Sequence, residues 1–563
     1  MSFAFAAATA DQRFVLDHVV RLDEIAATDR FAAASPDVIE AVLDGVAQFA
    51  AGEWAPLLRA GDTVGAKWTP GGVVMPEGFR AAYQAYVAGG WGTIGVDEQW
   101  GGQGLPFVVQ AAVLETLGTA NMGFALAPTL TVGAIEALAH HGSPEQQAAY
   151  LPKLATGEWT GTMNLTEPQA GSDVGALRST ATPIKKDGAG DGTFSIKGTK
   201  IFISFGDHDM ADNIVHLVLA RTPDAPAGTR GISLFLVPKV RLDGTPNDVR
   251  VVSIEHKMGL HASPTCILSF GDHDDCVGEL IGPEFGGIRA MFTMMNNARL
   301  NVGLQGVQVA EAATQAAASY ARDRVQGARD GKAAAIVEHA DVRRMLLRMK
   351  AQTMAARALV YYACGQVDRA TLGDPRARER LEIMTPLAKA HATDLGNEVA
   401  SIGVQVHGGM GYIEETGAAQ FFRDARITPI YEGTNGIQAA DLVGRKLALS
   451  NGGAFADLVA DLRAEARHPA LVRLIDACER VGRRLQGASA DDRQAASYPF
   501  MTMLSVAACG WLMERQSRVP AAEAVKKVAG TFYLDQIVPE ALGLEAAANA
   551  DASVLYALSA EAF

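Results

Sequence analysis

The chain has 563 residues, 48% of them hydrophobic and 20% charged, with 49 Lys and Arg against 63 Asp and Glu for a formal net charge of −14. That length calls for three or four domain-sized units, and the apolar content is ample for packed cores, which excludes disorder over the whole chain. A net acidic surface repels phosphate backbones, so nucleic acid is not an expected partner, although an anionic ligand would still need local basic residues.

The N-terminal stretch MSFAFAAATADQRF lacks a basic n-region, and Asp11 comes too soon for a signal h-region. Its poverty in arginine also speaks against a transit peptide. From about residue 10 to 158 the pattern is helical. SPDVIEAVLDGVAQFAAGEW and QAAVLETLGTANMGFALAPTL carry apolar residues at three- and four-residue spacing, and WTPGGVVMPEG and QWGGQGLP read as loops. Ser143, Pro144 and Glu145 form a helix-start signal.

From about 159 to 275 short runs rich in Val, Ile, Phe and Thr alternate with Gly, Asp and Pro: GTFSIKGTKIFIS, NIVHLVLAR, GISLFLVP and TCILSF. This predicts short antiparallel strands in a sandwich or barrel. From about 284 to 450 long helical stripes return, and long helices with short joins favour a bundle. A further helical stretch follows NGGAF. Its segment 456–485 mixes six arginines with five acids, which predicts a solvated face packed on the body rather than a basic membrane-surface helix. The fold class is therefore α+β multidomain: an N-terminal helical domain (1–158), a middle antiparallel β-domain (159–283), a C-terminal four-helix bundle (284–450) and an additional helical domain (451–563).

Five cysteines (Cys266, Cys276, Cys364, Cys478 and Cys509) are odd in number, widely spaced and without C-x-x-C. They fit reduced thiols and a cytoplasmic location better than a disulfide scaffold or a zinc site. Twelve histidines show no metal-ligand spacing, so no metal is expected. No charge-free apolar run of 18 residues reads as a membrane span, so no stable membrane association is expected. Neither a P-loop nor G-x-G-x-x-G opens a βαβ unit, so a Rossmann cofactor site is not supported.

Three stretches carry chemistry. In QVHGGMGYIEETGAAQFFRDARITPIYEGTNGIQ, from Gln405 to Gln438, the glycines Gly408, Gly409 and Gly411 leave backbone uncovered for a phosphate or ribityl chain. Glu432 precedes Gly433 among Ile427, Ile430 and Ile437. A carboxylate desolvated there would have a raised pKa, as a general base needs. A lone Glu-Gly is more often a surface turn. In MNLTEPQAGSDVGALRSTA, from Met163 to Ala181, Thr166, Ser172 and Asp173 could bind a polar ring edge or a carbonyl. Taken alone, the stretch is more often an Asx- or ST-turn. In GTKIFISFG, Phe202 could lie against a flat ring while Ser204 supplies a hydrogen bond; taken alone, a buried strand aromatic is the commoner case.

Together, in order and spacing, LTEPxxGSD, GxKxFIS, MGxxxSPT (Met258 to Thr265), Arg299, YARDR and QxxGGxGYxxE…RDARIxxIYEGT resemble the acyl-CoA dehydrogenase family over about residues 80 to 446. The resemblance implies a helical domain, a β-domain and a four-helix bundle. It implies FAD as cofactor and α,β-dehydrogenation of an acyl-CoA thioester to a trans-2-enoyl-CoA, with Glu432 removing the α-proton and the β-hydride passing to the flavin. The Glu432 amide would bind the thioester carbonyl together with the flavin's ribityl hydroxyl, and Gly433 would line the same substrate site. Met163, Leu165 and Thr166 would line the flavin ring. Ser172 would lie at the flavin and CoA phosphate region, and Phe202 and Ser204 would cover the flavin from the other side. Arg324, Gln405, Gly408 and Gly409 would hold FAD across a subunit interface, Thr434 would be another flavin contact, and Arg299 would stand near the substrate. Some members place the base just before that arginine, where this chain has Ala298.

The resemblance also implies an electron-transferring flavoprotein as acceptor and a homo-oligomer, a dimer favoured over a tetramer if the extra tail blocks further assembly. Three departures stand out: Met163 where many members have an aromatic, Gly436 where a longer polar residue is common, and Gly327 where smaller members carry phenylalanine. With the helical tail, they resemble the larger bacterial branch that includes 3-(methylthio)propanoyl-CoA dehydrogenase-like enzymes, a pointer to a short or medium acyl chain. The rivals are an acyl-CoA oxidase and a non-catalytic FAD-containing nucleic-acid-binding relative; the mixed charge of the tail counts against the second.

Overall fold

The computed structural model describes residues 5–186 and 189–563. Its principal helices are α1 (Thr9–Val15), α2 (Phe107–His141), α3 (Pro144–Thr156), α4 (Gly287–Asp323), α5 (Ala340–Thr371), α6 (Pro375–His407), α7 (Asn435–Gly444), α8 (Gly453–Glu465), α9 (Pro469–Gln486), α10 (Ala490–Ser517) and α11 (Ala524–Phe532). The chain divides into two compact units. One comprises the chain up to Ala47, Pro106–Thr119 and Arg299–Phe563; the other comprises Gln48–Leu105 and Ala120–Ala298.

The second of these holds most of the strands. The stretch WTPGGVVMPEG, read from sequence as a loop, forms a hairpin of β1 (Lys67–Thr69) and β2 (Gly72–Val74). Gly72 sits at φ 118, and a Cβ there would lie 2.8 Å from Asp207 Oδ2, which instead accepts the Val73 amide at 2.8 Å. Then come β3 (Trp159–Asn164), β4 (Thr180–Lys186), β5 (Ala189–Ser204), β6 (Asn213–Ala220), β7 (Ser233–Pro238), β8 (Val249–Ile254), β9 (Thr265–Phe270) and β10 (Val277–Ile281). They form one sheet in the order β3-β6-β7-β10-β5-β9-β8, with β4 paired to β5. The expected antiparallel pairing needs one correction: β3 and β6 run parallel. The chain between them is long enough to make the crossover that a parallel pair requires. Leu217, Leu219, Leu234 and Leu236 pack one face of the sheet against Leu138, Leu151 and Leu154 of α2 and α3. The helix start read at Ser143 is a full capping box with Gln146, with Pro144 in the first turn.

In the first unit α5 and α6 pack along each other, and the C-terminal helices lie on them: α10 contacts α5, α6 and α7, and α11 contacts α5. Residues 451–563 thus share one compact unit with the bundle. The segment 456–485, read as one helix, is broken before Pro469; Glu514 accepts from the Arg467 and His468 amides of the joining chain just before α9. A hairpin of β11 (Val325–Arg329) and β12 (Lys332–Ala335), absent from the helical reading, joins α4 to α5, with Asp330 and Gly331 at positive φ in its turn. Inside the unit the guanidinium of Arg357 is fully buried between Glu115 and Glu311, at 2.7 and 2.8 Å.

Among the described residues, two helices, α2 and α10, are long and apolar enough to cross a membrane, but 78% and 83% of their most apolar windows is buried in protein. All five cysteines are buried and free.

Candidate active site

Glu432 lies in the turn between Arg426 and α7. Its backbone is left-handed, φ 55, as is that of Gly433, φ 81. A left-handed glutamate is uncommon and is held by its surroundings. The turn is closed by the Tyr431 amide donating to Ile427 O and the Asn435 amide donating to Pro429 O at 2.9 Å. Among the described residues none accepts the amide of Glu432, so that donor is available to a ligand. Gly433 cannot be replaced freely, because a Cβ there would sit 2.8 Å from Gln438 Nε2. Thr434 is the N-cap of α7, its hydroxyl accepting from the Ile437 amide at 3.1 Å.

Beneath the turn lies Lys389 of α6, fully buried. It donates to Thr428 O at 3.0 Å and to Asn435 Oδ1 at 2.8 Å. Burial pulls its pKa down to about 8, opposed by the carboxylates of Glu432 and Asp394. Arg299 of α4 is also buried, 3.9 Å from Asp441 of α7. Burial pushes the Glu432 carboxyl above its ordinary value, and Arg299 and Lys389 oppose the shift. The raised direction agrees with the sequence argument, but the surround does not. Ile430 is 47% exposed, and two buried cations complete the setting. The result is a carboxylate poised between desolvation and positive charge. Ala298 is buried beside Arg299, and no carboxylate takes its place.

At the far end of the same unit, Tyr320 of α4 stacks on His407 of α6, ring centroids 4.4 Å apart. This contact brings Arg324, at the end of α4, to the same end of the bundle as Gln405, Gly408 and Gly409. All four are exposed. A Cβ at Gly408 or Gly409 would meet nothing within 4 Å, so their backbone is bare to an approaching group. Met410, Tyr412, Ile413 and Val325 are exposed large hydrophobics, Tyr412 at 88%.

In the β-rich unit, Met163 lies on β3, Leu165 and Thr166 follow its end, Ser172 lies in the loop after it, and Phe202 and Ser204 lie at the end of β5. The Ile201 amide donates to Thr166 O at 2.9 Å. The pairing of β5 with β9 shifts register between Lys200 and Ile203, and Phe202 in that bulge has φ 59. Bulges re-aim side chains. Here the ring is 59% exposed, so Phe202 is not the buried strand aromatic that the short motif alone would favour. Ser172 is exposed, and Met163 is buried at 9%.

Two residues of these motifs were given no role from sequence. Lys200, 0% exposed, pairs with Glu167 at 2.8 Å and donates to Leu165 O at 3.1 Å. Glu167 also accepts from the Arg178 amide at 2.7 Å and from the Ser179 amide and hydroxyl. Although burial opposes it, Lys200 and these donors hold the Glu167 carboxyl at about 2. The signal was a lysine inside the apolar run of a strand, a position that is rarely tolerated without a buried partner. Lys389 was missed for a similar reason: it falls on the buried stripe of α6 with Thr385 and Thr393.

Family models match the chain as "Acyl-CoA dehydrogenase, N-terminal domain" over residues 36–158, "middle domain" over 162–273 and "C-terminal domain" over 286–447. The chain belongs to the acyl-CoA dehydrogenase family. It is 45% identical, over 93% of its length and 92% of the relative's, to a 3-methylmercaptopropionyl-CoA dehydrogenase of Ruegeria pomeroyi. It is 37% identical to a butyryl-CoA dehydrogenase of Syntrophomonas wolfei, over 92% of each chain. The solved butyryl-CoA dehydrogenase of Megasphaera elsdenii superposes with a TM-score of 0.62 at 29% identity, covering 73% of this chain and 99% of its own. Acyl-CoA dehydrogenases are FAD-dependent flavoprotein oxidoreductases of fatty acid oxidation, and this family member is such an enzyme.

Proposed function

We propose that the enzyme converts an acyl-CoA to its trans-2-enoyl-CoA, with Glu432 as the base that removes the α-proton. The observation that carries this reading is the poised Glu432 carboxylate beside its own unpartnered amide. An α-proton of a thioester is too weakly acidic for a carboxylate in water. A donor on the carbonyl oxygen stabilises the developing enolate, and desolvation lifts the base toward the working pH. Arg299 and Lys389 favour the charged form of the carboxylate against its burial, while Gly433 at φ 81 lets the chain turn away after Glu432.

FAD, when bound, supplies the acceptor for the β-hydride. Two groups of residues suit it. Arg324, Gln405 and the bare glycines 408 and 409 offer a cation and open backbone to a pyrophosphate and adenosine. Phe202 offers an uncovered ring to a flat heterocycle, with Ser204 two residues on, Met163, Leu165, Thr166 and Ser172 on β3 and the loop after it, and Thr434 on the loop of the base. The exposed Tyr412, Met410 and Ile413 around the first group favour an oligomer that covers them. We favour a dimer over a tetramer, a cytoplasmic location and an electron-transferring flavoprotein as acceptor.

For the substrate, the near full-length similarity to the Ruegeria relative favours a short or medium acyl chain, with 3-(methylthio)propanoyl-CoA the first candidate. Arg299 belongs to the substrate side by resemblance, and its burial beside Asp441 gives it a charge-setting part as well. A panel of acyl-CoAs of rising length, added without oxygen, tests the reading through bleaching of the flavin absorbance. Reaction of the reduced enzyme with oxygen at a rate matching turnover would favour the oxidase instead, and a flavin that no acyl-CoA reduces would favour the non-catalytic relative.

A further inference from the structure

The C-terminal helices reach the loop of the base. Tyr498 of α10 donates its hydroxyl to Asp394 Oδ2 at 2.6 Å. Asp394 Oδ1 accepts from Asn435 Nδ2 at 2.8 Å. The same Asn435 amide group also meets Ala390 O and Thr393 Oγ1, both at 3.0 Å, and its oxygen accepts from Lys389. Asn435 is three residues beyond Glu432, and its own backbone amide closes the turn on Pro429. A continuous run of hydrogen bonds therefore links the extension to the turn that presents the carboxylate. The family match ends at residue 447, so Tyr498 lies outside it.

We infer that Tyr498 is a positioning residue for Glu432: through Asp394 and Asn435 it holds the catalytic turn and the buried Lys389, so that the C-terminal extension is part of the catalytic machinery. This rests on Glu432 being the base.

The groups that bear on the charge of Glu432, directly or through a neighbour, come from α4, α6, α7 and α10. Arg299 of α4 and Lys389 of α6 act on it directly. Asp441 of α7 and Glu382 of α6 act on Arg299, as does Arg445 with opposite sign. Asp394 acts on Lys389, and Tyr498, Asn435 and Arg426 favour the charged form of Asp394 against its burial. Loss of the Tyr498 hydroxyl makes Asp394 harder to ionise. A more neutral Asp394 supports the Lys389 cation less. A weaker cation near Glu432 lets its pKa rise. The acid limb of the rate profile must then move to higher pH.

The test is Tyr498→Phe in the full-length holoenzyme, with Asp394→Asn, the double variant and Glu432→Gln alongside. Tyr498 is 40% exposed, and the substitution removes one hydroxyl, so folding is preserved. The expected result is a fall in kcat of about tenfold with KM little changed, an acid limb displaced upward, and faster amide exchange in 428–438. The double variant should be no worse than Asp394→Asn alone, because both break one relay. A wild-type kcat and pH profile in Tyr498→Phe, even with a lower Tm, would overturn the inference. Bleaching that persists in Glu432→Gln would instead overturn the assignment of the base, so the two failures are distinguishable.

Discussion

Lys389 donates to the carboxamide oxygen of Asn435 at 2.8 Å, so a buried cation from α6 closes the turn that presents Glu432. The same ammonium acts electrostatically on Glu432 itself. One side chain thereby bears on both the place and the charge of Glu432.

Replacing Lys389 with Met removes a cation that favours the ionised form of Glu432. The pKa of Glu432 then rises, and, with Glu432 as the proposed base, the acid limb of kcat moves to higher pH. In the wild type the Lys389 charge is lost as pH rises through about 8, so the support it gives to the ionised form of Glu432 is present below that pH and is missing at every pH in Lys389→Met. A pH–rate profile of both proteins checks this.

Gly433→Ala puts a side chain at φ 81 and 2.8 Å from Gln438 Nε2. We expect a loss of stability of about 1–2 kcal/mol and a larger proportional loss of kcat than of substrate affinity. Thermal unfolding and steady-state kinetics report the two effects separately.

Much of this architecture was legible in the sequence, and the reasons for the gaps are physical. Long apolar stripes and short punctuated runs located helices and strands, because periodicity reports which face is buried. The β1–β2 and β11–β12 hairpins escaped because both are short and largely exposed, leaving no stripe to read. The broken helix at Pro469 escaped because the apolar spacing continues on either side of the break. Glu432 was visible through its motif. Lys200, Lys389 and Asp394 were not, since their importance comes from partners 33, 46 and 104 residues away along the chain.

Phe202→Ala should leave Tm almost unchanged, since the ring is 59% exposed and fills no core. It should weaken FAD retention or shift the flavin absorbance. Differential scanning fluorimetry and a visible spectrum of the same sample check both halves.

Lys200→Met breaks a buried ion pair and leaves Glu167 without its cation, at a cost of about 3–5 kcal/mol. In the wild type Glu167 is held at about 2, below its ordinary 4.5, so its contribution is complete above pH 4.5 and is lost as pH falls toward 2. Acid unfolding of wild type against the variant should show the difference between them shrinking in that window.

The most direct test of the central claim is anaerobic titration of the FAD-loaded enzyme with the acyl-CoA that reduces it fastest, wild type against Glu432→Gln. Proton removal by a positioned carboxylate predicts rapid bleaching in the wild type and a rate lower by about 10²–10⁴-fold in the variant, with flavin still bound. Bleaching at the wild-type rate in Glu432→Gln would contradict the account and place the base elsewhere.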